Sequence, residues 1–164
     1  MSDDIKKKID VVFIAGGKFH DIDFARLEIL KLLAEDDRMK TRVFEDYSNL
    51  HAIENADFLI TYTCDVRPTL EQQKALKKYV ASGKRWLALH GTNSILQFMS
   101  DGKVDSPRIA PIMMETLGSQ FIAHPPIEPY NVKVSQPDHP LVEGVEEFET
   151  TDELYLMELH GDLD

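Results

Sequence analysis

The sequence predicts an α/β domain, a parallel sheet with helices on both faces. Three observations carry that expectation. Short, nearly continuous apolar runs rich in β-branched residues recur at positions 9–15, 56–62 and 85–90, as in strands buried on both faces. Segments of helical period with recognisable caps separate them. The 164 residues match one domain, residues 1–164. A content of 43% hydrophobic and 9% aromatic residues supplies its core.

The first strand is IDVVFIA, ended by Gly16-Gly17. Asp21 then caps a helix with Ile22, Ala25, Ile29, Leu30 and Leu33 on one face. Thr41 to Phe44 is a second short strand and ADFLITY a third. Thr69 and Gln72 form a T-x-x-Q capping box, and Gly83 stands where the helix should stop. RWLALH is the fourth strand, closed by Gly91. Alternation of this kind argues βαβ units with right-handed crossovers.

The second half is less regular. Ser106-Pro107 reads as an N-cap and first helical position, followed by a stripe of Ile109, Ile112, Met113 and Leu117 up to Gly118. The methionines read as core filler. Proline then punctuates the chain at 125, 126, 129, 137 and 140. Tyr130 to Val134 alternates like a half-exposed strand, and Leu154 to Leu159 reads as the last. A strand so close to the end predicts an unpaired sheet edge, which invites self-association or cover by a further segment. A homo-oligomer is therefore expected.

Charge narrows the partners. Lys plus Arg is 18 against 29 Asp plus Glu, a net charge of -11. The one basic run is Lys6-Lys7-Lys8, so nucleic acid and anionic membranes are not expected partners. A single cysteine, Cys64, excludes an internal disulfide or a cysteine-based zinc cluster. No signal-like apolar segment precedes Val11 and no run is long enough to cross a bilayer. A cytoplasmic location is expected.

Ligands of open parallel sheets bind beyond the C-terminal strand ends, which selects four loops. GGKFHD (residues 16–21) is neither a G-x-G-x-x-G fingerprint nor a phosphate loop. Its glycines allow close approach of backbone to a ligand. His20 and Asp21 either contact a polar ligand or are a turn residue and a helix cap. In TCDVRP (residues 63–68), Cys64 reads as a buried, inert thiol and Asp65 as the better ligand contact, unless it simply pairs with Arg67. RWLALHGTNS puts His90 where a nucleophile elbow would stand. Imidazole there suits acid–base work, metal ligation or substrate hydrogen bonding. Last, His124-Pro125, Asp138-His139-Pro140 and Asp152-Glu153 supply further polar groups, with 138–140 also reading as a surface turn. A carboxylate such as Glu153 converging on His20 or His90 would orient an imidazole or act as a base. His51 and His160 read as surface residues.

FIAGGKFHD, GKRWLALHGT, FIAHPPIEPYNVKVSQPDHPLVEGV and FETTDELY, in this order over nearly the whole chain, resemble the ThuA-like (trehalose-utilisation) family. The resemblance implies a class I glutamine-amidotransferase-like fold, that is, a flavodoxin-like three-layer α/β/α sandwich with a mostly parallel sheet. It also implies a role in carbohydrate metabolism, on keto-disaccharides or related sugars. By position it carries over Gly16, Gly17, His20, Asp21, His90, Thr92, His124, His139, Asp152 and Glu153. Glutamine amidotransferases carry cysteine at the elbow; with His90 there, that activity is not inherited. The relatives continue with a strand bearing a G-K-G-R motif and a final helix, so the chain is expected to lack the family's C-terminal part.

The leading expectation is a sugar-active enzyme with a small-molecule carbohydrate as its partner. Glu153 or His90 would take a proton beside a carbonyl, and His20 or Thr92 would donate to the enolate oxygen. Gly16, Gly17, Asp21, Asp65, Thr92 and His124 would contact the sugar. No resident cofactor is expected. Two rivals stand: a non-catalytic sugar-binding or regulatory module, and a metal-dependent hydrolase using His20, His90 and a carboxylate. The third ranks lowest because no local H-x-x-x-H pair is present.

Overall fold

The computed structural model describes residues 7–161. Strand β1 (Ile9–Gly17) lies at the centre of a four-stranded sheet with β2 (Met39–Phe44), β3 (Phe58–Cys64) and β4 (Arg85–Leu89), in the order β2-β1-β3-β4 and parallel throughout. This is the flavodoxin-like order, whose switch point falls between β1 and β3. Register pairs Gly17 with Cys64 at that point.

Period-two alternation along β1 divides the core into two layers. Val11, Phe13 and Ala15, with Ile60, pack against Ile22, Ile29, Leu30 and Leu33 of helix α1 (Ile22–Ala34). Val12 and Ile14 face the other way, onto α2 (Leu50–Asn55), α3 (Leu70–Ala81) and α4 (Pro111–Leu117). Helices therefore cover both faces, giving three layers. On the α1 face Val43 and Leu87 stay exposed on either side of the single helix.

The expected caps are in place. The Asp21 carboxylate accepts from the Phe24 N–H, and Thr69 and Gln72 form the reciprocal capping box of α3. Gly83 follows the C-cap with φ 84°. One start moves: α4 is capped at Ala110 with Pro111 at its first position, not at Ser106-Pro107. A proline at 111 inside a helix begun at 107 would lack the N–H for its backbone bond. Ile109 is accordingly exposed, whereas Met113 and Met114 are core.

Beyond β4 come a 3₁₀ turn at His90–Asn93 and three antiparallel two-stranded ribbons. They pair β5 (Gln97–Phe98) with β6 (Val104–Asp105), β7 (Ser119–Ala123) with β10 (Leu156–Leu159), and β8 (Glu128–Val132) with β9 (Phe148–Asp152). The last strand, β10, lies outside the parallel sheet: it pairs with β7 in a two-stranded ribbon and keeps its other edge free among the described residues, while β4 is the second edge of the parallel sheet. No helix among the described residues is long and apolar enough to cross a membrane.

Candidate functional site

Three non-glycine residues among those described have left-handed backbone, Phe19 (φ 71°), Asp65 (φ 55°) and His90 (φ 48°). They follow the ends of β1, β3 and β4, side by side at the switch point. Such backbone costs about 1–3 kcal/mol per residue and persists where packing imposes it. At His90 the packing is visible. A Cβ on Gly91 would stand 3.0 Å from both the Thr63 carbonyl oxygen and Cys64 Cβ. The elbow thus lies flush against the end of β3.

Thr92 holds that elbow down. Its hydroxyl, almost fully buried, lies 2.8 Å from the Leu89 carbonyl and 3.2 Å from that of Thr61. Asp65 braces the following loop by accepting from the Leu96 N–H, Lys18 Nζ and Arg67 Nε. Burial would raise its carboxyl pKa, but those three donors together hold it below the usual value. Both residues therefore spend their polar groups on the protein. The glycines do likewise: a Cβ at Gly16 would fall 2.0 Å from the Glu45 carbonyl oxygen, and one at Gly17 1.9 Å from that of Cys64. The close approach they permit is strand to strand. Asp21 caps α1 while lining the cleft.

Four other side chains converge. His90 Nε2 lies 3.4 Å from His20 Nδ1 and 3.7 Å from Glu153 Oε2. Glu153 Oε1 lies 3.7 Å from His124 Nε2. The loops after β1, β4, β7 and β9 thus each contribute one member of a continuous chain, His20–His90–Glu153–His124. All five atoms are imidazole nitrogens or carboxylate oxygens, and the Glu153 side chain is only 23% exposed. Asp152 beside it is exposed, and its Oδ1 accepts from the Glu153 N–H.

Tyr155 joins them, and sequence reasoning missed it. Its ring stacks on His90 at 5.0 Å, as that of Tyr62 does at 5.7 Å, and its hydroxyl is 3.2 Å from His90 Nε2. The available signal was its place two residues after Glu153, which in extended chain points a side chain the same way. Burial pushes the Tyr155 hydroxyl far above its ordinary pKa, so it remains a proton donor. Burial, then neighbouring His20, lowers the pKa of His90 against the opposing pull of Glu153 and Asp152, so the ring is neutral at pH 7.

His124 has a fixed tautomer. Its Nδ1 is 2.8 Å from the Pro125 carbonyl oxygen, which can only accept. In the neutral ring Nδ1 therefore carries the proton and Nε2 the lone pair. His139 instead accepts from the Leu141 N–H in the turn at 139–142, apart from the cluster. His51 is exposed on α2; His160 is partly buried beside Glu158, not a free surface residue. Cys64 is buried, and burial raises its thiol to about 11, consistent with an inert cysteine.

Cavities surround the cluster and meet at Glu153. One of about 400 Å³ is walled by Phe19, Phe98 and Phe121, and another of about 590 Å³ by Asp21, Tyr62 and Asp152. These volumes suit small ligands. No described lysine or arginine lines either one.

A flavodoxin-like sheet whose strand tips carry histidines and a carboxylate, with no cysteine at the elbow, frames the candidate site. The trehalose-utilisation (ThuA) family matches residues 10–162, and the chain belongs to that family. Among solved structures, a ThuA-like protein from Bacteroides uniformis ATCC 8492 is similar, at TM-score 0.71 and 17% identity over 93% of this chain and 62% of that one. A second, from Parabacteroides merdae ATCC 43184, gives 0.59 and 16% over 91% and 63%. Both likenesses speak to fold alone, and the chain spans less than two thirds of either. No curated protein matches the sequence.

Proposed function

We propose that this protein is a carbohydrate-processing enzyme that moves a proton beside the carbonyl of a sugar. The observation that carries this reading is the chain His20–His90–Glu153–His124, with successive contacts of 3.4, 3.7 and 3.7 Å, at one edge of the sheet. Family membership, described as trehalose utilisation, supports a sugar as substrate, and a keto-sugar is the kind that offers the carbonyl this chemistry needs.

Enolisation needs a base on the carbon side and donors on the oxygen side. His124 acts as the base through Nε2, the nitrogen that bears the lone pair in the tautomer fixed by Pro125, and Glu153 Oε1 stabilises the imidazolium that forms. Tyr155 O–H, kept protonated by burial, and the imidazoles of His20 and His90 face the developing oxyanion. Thr92, whose hydroxyl is engaged with Leu89 and Thr61, is replaced by Tyr155 as donor. The cleft's carboxylates, Asp21, Asp152 and Glu153, and the lack of a lining cation among the described residues favour an uncharged sugar over a phosphorylated or acidic one.

The test is turnover of a panel of neutral keto-sugars and their phosphorylated counterparts. Turnover of a neutral member, lost in His124→Ala with the melting temperature unchanged, supports the reading. A folded His124→Ala protein of undiminished turnover removes His124 as base, and preference for the phosphorylated sugars removes the electrostatic argument.

A further inference from the structure

We propose that His20, His90 and Glu153 form a binding site for one divalent first-row transition cation, with a coordination position open to the cleft. This rests on the reading of the cluster as the active site. The ion takes the place of the two imidazole donors as the electrophile of that site and leaves the base, His124, outside the ligand set.

The geometry is that of a ligand set. One imidazole nitrogen from each histidine and one Glu153 oxygen lie within 4.8 Å of one another. A tetrahedral ion with bonds of about 2.0–2.1 Å holds its ligands about 3.3–3.4 Å apart. His20 Nδ1 and His90 Nε2 are separated by 3.4 Å. Glu153 Oε2 is 3.7 Å from His90 Nε2, and the carboxylate, whose ligand oxygen lies within 4.8 Å of both histidine nitrogens, has to turn toward His20 to complete the set. Two imidazoles and a carboxylate are a donor set that zinc, manganese, iron and cobalt share, and that calcium and magnesium do not favour.

The protein surroundings agree. Without an ion, His20 Nδ1, the Tyr155 hydroxyl and Glu153 all crowd one nitrogen, His90 Nε2, which has a single lone pair or a single proton to offer. A cation between them satisfies the histidines and the carboxylate together. Asp21 and Asp152 line the same cavity and add negative potential. The left-handed backbone at His90, packed against β3, presents its ring on a rigid element. Glu153 uses separate oxygens toward His90 and His124, so ligation through Oε2 leaves Oε1 facing the base. A bound cation would polarise the sugar carbonyl as a Lewis acid.

The experiment is calorimetric titration of the chelator-treated full chain with ZnCl₂ and MnCl₂, and with MgCl₂ for comparison, alongside Co²⁺ absorption spectra. The expected result is one ion per chain for zinc or manganese. His20→Ala and Glu153→Gln should each weaken binding by more than the about 10–100-fold typical of losing an outer-shell partner, and His139→Ala should change nothing. Melting curves establish that each variant is folded. Failure of both ions to bind at about 100 µM, or binding that His20→Ala and Glu153→Gln leave intact, overturns the inference. Sugar assays on the metal-free protein separate the two readings. Proton transfer with no ion bound at any concentration tested removes the cation and keeps the enzyme; tight binding sensitive to His20 and Glu153, with no keto-sugar processed, supports the cation site and counts against the chemistry.

Discussion

His90→Gly and His90→Ala make an informative pair, because both remove the imidazole while differing in backbone. Each loses the same stacking with Tyr62 and Tyr155, at 5.7 and 5.0 Å. What differs is the cost of φ 48°. Alanine in the left-handed region costs about 1–2 kcal/mol, and glycine avoids that while adding about 0.5–1 kcal/mol of chain entropy to lose on folding. The glycine variant should therefore be more stable by about 0.5–1 kcal/mol. For a domain of this size that is roughly 1–4 °C in melting temperature. Turnover of keto-sugars should fall in both by about 10²–10⁴-fold. The assay is thermal unfolding and turnover on the same preparations. An alanine variant more stable than the glycine variant would refute the strained elbow. Wild-type turnover by either would show His90 to be a structural histidine.

Three further outcomes follow from the same geometry. Asp65→Asn should destabilise the domain by about 1–3 kcal/mol. Because the folded carboxyl is held below its ordinary pKa, its contribution is present above about pH 4 and is lost as pH falls through the folded value. Unfolding free energy measured below pH 4 should thus drop more steeply in wild type than in Asp65→Asn. Cys64, with its thiol raised to about 11, should resist iodoacetamide at pH 8 until the chain is unfolded, and Cys64→Ser should keep full turnover. Gly17→Ala, with a Cβ 1.9 Å from the Cys64 carbonyl oxygen and φ 110°, should abolish soluble folded protein; a folded variant impaired only in ligand binding would instead return Gly17 to the binding site.

The central strands were legible because burial on both faces leaves a mark in sequence. Val11 to Ala15 and Leu59 to Thr61 are almost wholly inaccessible, so each is a run of apolar or β-branched residues. Asp21 and Thr69 were legible as caps because their side chains bond three residues ahead, a local matter. The α4 start differs because Pro107 and Pro111 both suit a first helical position; the missing N–H of Pro111 bars a helix begun at 107, and packing of Ala110 and Met114 into the core agrees. Helix α2 has six residues and strand β9 exposes most of its side chains, so neither shows a period. At the site, His20, His90, Glu153 and His124 were all named from their places at strand ends. Their order of contact was not readable, since it depends on how β7 and the β8–β9 ribbon lie against the end of β4. Gly16, Gly17, Asp65 and Thr92 have the residue types of a binding loop, but their partners in space are Glu45, Cys64, Leu96 and Leu89.

Exchange of the hydrogen on the carbon beside the sugar carbonyl tests the account most directly, because it reports proton abstraction whatever the final product. A neutral keto-sugar incubated with the protein in D₂O and followed by proton NMR should lose that signal faster than in buffer alone. His124→Ala and His90→Ala should each slow the exchange by about 10²–10⁴-fold, and Cys64→Ser should leave it unchanged. Exchange at the buffer rate with wild-type protein on every keto-sugar that binds, or exchange that survives in His124→Ala, would contradict the assignment of this cluster to proton transfer.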